Sequence, residues 1–372
     1  MKNYYFDNST TSFPKPKEVA EEMYNFLMNV GGTYGRVNTQ RGKETTQKIE
    51  ECREILANKF LGTKNDANII FTPGATRSIN DILIGLNLNN CKVLISTLEH
   101  NAVLRPIYKL SKNSNVEYEI LPSLDGGIID VNALNEIVTR EKISLVAINM
   151  ESNISGVIQP IKKIKEAIGE IPLLVDATQA VGTHEIKADE WNVDFIAFTG
   201  HKGLLGPTGT GGFYVKNPEK LKAAYFGGGF GDGYETPYSV PEIYEAGTPN
   251  TVGIIGLLAA LKNRPNWNIK IEDLVSAIEK IESMNKYKVI WSKNIENQGF
   301  VFSITTDSIS MSDLAHKLYE DYGIECRYGF HCAFLAHNFY KNDNGAIRFS
   351  FSPYTAKKDL EYLINTLGNE LW

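Results

Sequence analysis

Leu173-Leu174-Val175-Asp176-Ala177-Thr178-Gln179 and Phe195-Ile196-Ala197-Phe198-Thr199-Gly200-His201-Lys202 each pass from an apolar run into polar residues. The apolar parts read as strands, and outward from them the chain alternates helix and strand. Strands are expected at 68–71, 92–96, 116–121, 144–149, 172–175, 195–198 and 212–215. Helices are expected at about 15–29 and 44–60, and at 76–86, 101–110, 131–140 and 161–168. Apolar strands spaced by helices predict an α/β fold with a mainly parallel sheet covered on both faces. Such sheets bind ligands at the carboxyl ends of their strands, so the polar residues just after each strand are the candidates for chemistry.

Farther on, residues 252–261 predict an apolar helix and Asn263-Arg264-Pro265-Asn266 a linker. Helices at 271–284, 312–321 and 355–370, with strands at 288–291, 299–304 and 346–351, predict a smaller α+β domain. No repeat or low-complexity stretch interrupts the 372 residues, which suffice for two domains.

Composition narrows the function classes. A hydrophobic content of 42% and a charged content of 22% are ordinary for a soluble globular protein. The net charge of −6, from 38 basic and 44 acidic residues, argues against a nucleic-acid-binding face. Lys162-Lys163-Ile164-Lys165 reads as the solvated face of a helix. No apolar run reaches the roughly 18 residues of a membrane span. The opening Met1-Lys2-Asn3-Tyr4-Tyr5-Phe6-Asp7 lacks a signal core, so a cytoplasmic protein is expected. The four cysteines, Cys52, Cys91, Cys326 and Cys332, form no disulfide framework and are read as free thiols.

Asp176 and Lys202 emerge from two strands at the same sheet edge. Alone, the first reads equally as a helix cap and the second as a solvated loop lysine. Together they are the pair that pyridoxal-phosphate (PLP) chemistry needs. A carboxylate keeps the pyridine nitrogen protonated, and a lysine holds the cofactor covalently and moves the substrate proton. Thr72-Pro73-Gly74-Ala75-Thr76 precedes a helix and suits a phosphate, or simply a cap. His100, in Glu99-His100-Asn101, could stack on a flat ring or cap the next helix. Asn153 could donate to a ring oxygen or serve a turn. The glycine-rich 203–212 segment is not a Walker A loop, because no Lys-Ser/Thr and no helix follow it.

The joint order of several segments resembles one family. They are Tyr5-Phe6-Asp7-Asn8, Phe71-Thr72-Pro73-Gly74-Ala75-Thr76, Glu99-His100-Asn101, Ser152-Asn153, Val175-Asp176-Ala177-Thr178-Gln179-Ala180, Thr199-Gly200-His201-Lys202, Glu245-Ala246-Gly247-Thr248-Pro249-Asn250 and Arg327-Tyr328-Gly329-Phe330-His331-Cys332-Ala333. The chain is similar to the fold-type I PLP enzymes of the class V aminotransferase group, within it the cysteine desulfurase and selenocysteine lyase family. This resemblance implies a large PLP-binding domain (15–262) built on a mainly parallel, seven-stranded-type sheet. It implies a small domain (1–14 with 263–372) bearing the cysteine loop.

It further implies that Lys202 anchors the cofactor, Asp176 pairs with the pyridinium and His100 stacks on the ring and takes part in catalysis. Gln179 and Asn153 would contact the ring oxygen or substrate. Ala75, Thr76, Thr199 and His201 would hold the phosphate. Thr248 would reach the phosphate of a neighbouring subunit, which implies a homodimer with shared active sites.

Cys332 reads as a nucleophilic thiol on a small-domain loop, with His331 and Arg327 near enough to favour the thiolate. A metal site from Cys326, His331, Cys332 and His337 lacks a familiar zinc spacing, and no metal is expected. Arg348, in the strand Ala346-Ile347-Arg348-Phe349-Ser350, resembles the family arginine that clamps the substrate carboxylate, a task suited to a fork of donors. The implied reaction removes sulfur from cysteine, or selenium from selenocysteine. It leaves alanine and a Cys332 persulfide, whose sulfur passes to an acceptor protein. The alternative within the group is a lyase, transaminase or epimerase that does not use the thiol. The chain departs from the family pattern in having Ala75-Thr76 for two hydroxyl residues, Phe330-His331 for two histidines, and Thr39-Gln40-Arg41-Gly42 for a His-Arg-Gly segment.

Overall fold

In the computed structural model, which describes residues 3–35, 37–229, 234 and 239–372, a two-residue strand β1 (Tyr4–Tyr5) opens the chain. Seven strands follow: β2 (Ile69–Thr72), β3 (Cys91–Ile95), β4 (Val116–Ile120), β5 (Ile143–Asn149), β6 (Leu173–Asp176), β7 (Phe195–Thr199) and β8 (Gly211–Val215). They form one sheet in the order β2-β8-β7-β6-β5-β3-β4. All run in one direction except β8, which is antiparallel to both of its neighbours. The reversal of β8 brings the Gly209-Thr210 turn at its start to the carboxyl edge of the other strands.

Successive strand residues point to opposite faces, and each face has its own core. Ile69, Leu94, Val146, Ile148, Leu173, Val175, Ile196, Phe198 and Tyr214 pack on one side. Ile70, Val93, Ile95, Leu145, Ala147, Leu174, Phe195, Phe213 and Val215 pack on the other. Double burial explains why these strands read as continuous apolar runs. Helices α1 (Lys17–Asn25), α2 (Gln40–Ile55), α3 (Ala75–Gly85), α4 (Asn101–Asn113), α5 (Val131–Arg140), α6 (Ile161–Ile168), α7 (Ala188–Trp191) and α8 (Thr251–Lys262) come between and after the strands. Apolar residues of α3 and α4 cover the second face; those of α2, α5, α6 and α8 cover the first.

The remaining elements are α9 (Ile271–Ser283), β9 (Lys288–Ile290), β10 (Val301–Thr305), α10 (Met311–Tyr322), β11 (Ile324–Glu325), β12 (Arg327–Gly329), α11 (Phe334–Phe339), β13 (Ala346–Ser350) and α12 (Lys357–Gly368). They build an antiparallel sheet in the order β12-β13-β10-β9. Its core holds Leu274, Phe302, Leu314, Ile347, Phe349 and Leu363, and it takes in Phe6 from the start of the chain. The pairing of β1 with β11 ties the N-terminal segment here. The short β11, β12 and α11 have no counterpart among the sequence expectations. Too few residues repeat in them for either periodicity to register, yet β12 and α11 frame Cys332.

Candidate active site

Asp176 is the last residue of β6, and Lys202 lies just beyond β7, the parallel neighbour of β6. The two therefore leave the sheet side by side, as the sequence predicts. Asp176 is buried, and its Oδ1 accepts from the Thr178 amide at 3.0 Å and from the Thr178 hydroxyl. Loss of water, aided by the positive charge of Arg348 and opposed by Asp176 and Asp7, pushes the Lys202 ammonium down to about 8. Lys202 is thus poised to exchange protons near neutrality.

Lys202 opens into a cavity of about 520 Å³ lined by Gly74, Ala75, Thr76, Arg77, His100, Thr178, Thr199 and His201. Helix α3 starts at this wall with no side chain capping it, so its first amides and dipole face the cavity. Gly211 makes the wall possible. A Cβ there would stand 2.6 Å from the Phe198 carbonyl and 2.7 Å from Gly74 Cα. His201 Nδ1 is buried without a hydrogen-bond partner. His100 satisfies both of its readings: it lines the cavity, and its Nδ1 accepts from the Ala102 amide at 3.0 Å as the cap of α4. That bond places the remaining proton on Nε2, and burial pushes the imidazole down to about 4, so the ring is neutral. An amine, a carboxylate from the adjoining strand, a neutral ring, an uncapped helix start and an unpartnered imidazole nitrogen suit a flat, phosphorylated carbonyl cofactor such as PLP.

Gln179, Thr248 and Asn153 lie outside the wall of this cavity. Gln179 faces a second, small cavity of about 30 Å³ that shares Lys202, and its Nε2 donates to the Ser9 carbonyl at 3.2 Å. Thr248 does not line the large cavity of its own chain. It lies in a neighbouring one of about 150 Å³ that shares Pro73 and Gly209. Asn153 is buried, and its Nδ2 donates to the His331 carbonyl at 2.8 Å. Its Oδ1 has no partner.

Cys332 is exposed in the short turn between β12 and α11. The expectation that His331 favours its thiolate is overturned. The ring of His331 is buried, with Nε2 3.1 Å from the Ala346 carbonyl, and burial holds it well below its ordinary range. A neutral imidazole lends no charge to a thiolate. Arg327 directs Nη1 to the Thr10 hydroxyl at 3.2 Å. Cys52 is buried and pushed up by loss of water, and Cys326 is pushed up to about 12, first by loss of water and then by Asp7, which disfavours the thiolate in both. Among the described residues no three His, Cys, Asp or Glu side chains are grouped to hold a metal ion.

Arg348 is buried on β13. Its Nη2 meets Asp7 Oδ1 at 2.7 Å and the Thr10 hydroxyl at 2.8 Å, its Nη1 meets the Asn153 carbonyl at 3.2 Å, and its Nε has no partner. An unpaired donor on a buried guanidinium whose charge depresses Lys202 would suit an anionic group of a molecule held there.

Several contributors were missed by sequence reasoning. Thr178, two residues after Asp176, has the spacing of an Asx turn, a signal that was available. Asp7 and Thr10 belong to Arg348 across more than 300 residues, and nothing local announces that. Glu99 is fully buried, with Oε1 accepting from the Ser96 hydroxyl at 2.5 Å and the Asn149 amide at 2.7 Å. Burial pushes its carboxyl up to about 8 against those bonds.

The family model for aminotransferase class-V matches residues 4–363. The chain is 31% identical to a probable cysteine desulfurase of Pyrococcus abyssi, over 98% of this chain and 93% of that protein. It is 30% identical to the cysteine desulfurase CsdA of Escherichia coli, over 99% and 94%. Among solved structures, the apo cysteine desulfurase of Thermococcus onnurineus NA1 superposes with a TM-score of 0.90 at 28% identity, over 98% and 94% of the two chains. CsdA of Escherichia coli, in an S-sulfonic acid form, superposes with a TM-score of 0.84 at 26% identity, over 98% and 93%.

Proposed function

Because the chain belongs to the aminotransferase class-V family, whose cofactor is PLP, we propose that it is a cysteine desulfurase. It would take sulfur from L-cysteine to give alanine and a persulfide on Cys332. The observation that supports this reading most is the position of the exposed Cys332. Its carbonyl accepts from the amide of Asn101, the residue next to the cavity-lining His100, at 2.7 Å.

In this reading Arg348 receives the substrate carboxylate, with Nε and the fork of its guanidinium as donors. Asn153 supports it from the side. The free amine of Lys202 takes the Cα proton, a role its lowered pKa suits. With PLP bound, the electron pair left at Cα is delocalised into an electron-poor ring. Asp176, oriented by Thr178, would hold the ring nitrogen protonated, and His100 would lie against the ring. The amides of Ala75 and Thr76, with Thr199 and His201, would hold the phosphate. Gln179 would sit on the ring-oxygen side.

The Cys332 thiolate attacks the substrate sulfur. A sulfur–sulfur bond forms as the carbon–sulfur bond breaks, the bonding pair stays on Cβ, and protonation there yields alanine. The residues 15–262 would form the cofactor-binding domain, with 1–14 and 263–372 as the small domain. The place of Thr248, outside its own large cavity, suits delivery to a second copy in a homodimer. A thiol of an acceptor protein would then take the sulfur in a cytoplasmic setting.

The test is mass spectrometry after incubation with cysteine. One added sulfur on the Cys332 peptide is expected, and none in Cys332→Ala. Alanine release from cysteine at the normal rate in Cys332→Ala would overturn the reading.

A further inference from the structure

His331 and Cys332 are consecutive non-glycine residues with positive φ, 49° and 55°. They are the central pair of a turn closed by the Ala333 amide donating to the Phe330 carbonyl at 3.0 Å. Turns with both central residues left-handed ordinarily use Gly, Asn or Asp, because a Cβ is crowded there. Histidine followed by cysteine does not hold this shape by its own preference.

Two hydrogen bonds from outside the turn fix its central carbonyls. Asn153 Nδ2 donates to the His331 carbonyl at 2.8 Å, and the Asn101 amide donates to the Cys332 carbonyl at 2.7 Å. Both donors come from loops at the carboxyl edge of the large sheet: Asn153 follows β5, and Asn101 opens α4 after β3. Asn101 is the first residue of its helix, where the amide has no acceptor within the helix. The Asn153 carbonyl meanwhile accepts from Arg348. The turn bearing the thiol is thus held by the same loops that bear His100 and touch the carboxylate-binding arginine.

We propose that Asn101 and Asn153 form a two-point latch that sets Cys332 over the cofactor cavity, with Asn101 a positioning residue for the sulfur-abstraction step. The proposal rests on the desulfurase reading. It makes the thiol a fixed group, so sulfur transfer waits on the acceptor coming to Cys332 and not on a swing of the turn. It also divides the reaction. Proton exchange at Cα needs Lys202, Arg348 and the substrate-side contacts of Asn153 but not the Asn101 bond, whereas attack on the substrate sulfur needs that bond as well.

Asn101→Pro removes the one amide proton concerned. Proline is favoured at the first position of a helix, and His100, at φ −72° and ψ 154°, already has the conformation that a following proline requires. The cap from His100 runs to Ala102 and is untouched. In the cofactor-loaded variant, alanine formation from cysteine is expected to fall about tenfold, the scale of one lost hydrogen bond. Exchange of the Cα proton of L-alanine with deuterium from solvent should stay within about twofold of the parent. Amide hydrogen exchange of the peptide spanning 330–336 should quicken. Asn101→Ala, which keeps the amide, should match the parent in all three, and Asn153→Asp should quicken exchange in the same peptide if Asn101→Pro folds poorly.

Parallel loss of desulfuration and Cα exchange would overturn the latch, since Asn101 would then act through His100. Unchanged amide exchange in 330–336 would overturn it as well. The two readings separate in Cys332→Ser. Desulfuration at the normal rate there sinks the desulfurase reading, while an inactive Cys332→Ser beside a fully active Asn101→Pro sinks the latch alone.

Discussion

Asp7 and Arg348 are joined at 2.7 Å in a largely buried pair, although they stand at opposite ends of the chain. The N-terminal segment thereby belongs to the proposed substrate site. Loss of water holds the guanidinium below its ordinary range, against the pull of Asp7. Asp7→Asn should leave Arg348 a buried cation without its carboxylate and lower stability by about 1–3 kcal/mol in denaturant titration. Arg348→Lys keeps a charge but loses the fork. KM for cysteine should rise about tenfold to a hundredfold in steady-state kinetics, with persulfide formation on Cys332 preserved at saturating substrate.

Lys202 makes the cofactor-free protein pay for its active site. Folded, its amine titrates near 8; unfolded, it returns to 10.5. Between those values the unfolded chain binds more protons, so stability rises with pH across that window, and below about 8 the whole penalty of the buried ammonium is present. Cofactor-free Lys202→Met should therefore melt higher than the parent at pH 7. The gap should close as pH climbs from 8 toward 10.5, which thermal denaturation at stepped pH will read.

Glu99 gives the opposite sign. Its carboxyl titrates near 8 when folded and near 4.5 when unfolded, so the folded protein holds an extra proton between those values and loses stability as pH rises through them. The neutral isostere in Glu99→Gln removes that slope. Melting curves of the parent and Glu99→Gln should diverge progressively from pH 4.5 to 8, with the parent falling; parallel curves would show that Glu99 is ionised throughout.

The sequence makes the sheet legible because its strands are buried on both faces and read as apolar runs bounded by polar edges. Val131–Arg140 and Ile161–Ile168 form over the expected residues. Lys202, Asp176 and His100 were legible because they follow such runs. Arg348 was legible as a strand arginine, but its pairing with Asp7 was not, since a contact between chain ends leaves no local pattern. His331 was misread for a related reason. Adjacency to Cys332 in sequence suggested an electrostatic partner, whereas the turn sends the ring inward to the Ala346 carbonyl. The turn is met at its own carbonyls, that of Cys332 by the Asn101 amide and that of His331 by Asn153 Nδ2, and such backbone acceptors are invisible in side-chain identity.

Gly211 offers the last test, at the wall where the phosphate would sit. Its register places it opposite both Thr72 of β2 and Thr199 of β7. A methyl group in Gly211→Ala would meet backbone atoms on either side, the Phe198 carbonyl at 2.6 Å and Gly74 Cα at 2.7 Å, and neither is the movable end of a side chain. Relief requires the Thr72–Gly74 turn to move away from β8, taking the start of α3 with it. Strain of this kind costs roughly 1–3 kcal/mol, so the melting temperature should fall. The displaced helix start should also weaken cofactor binding selectively: affinity for PLP, followed by absorbance titration of the stripped protein, should drop about tenfold, while affinity for pyridoxal, which lacks the phosphate, should barely change. Equal losses for the two would mean that the wall at Gly211 does not serve the phosphate.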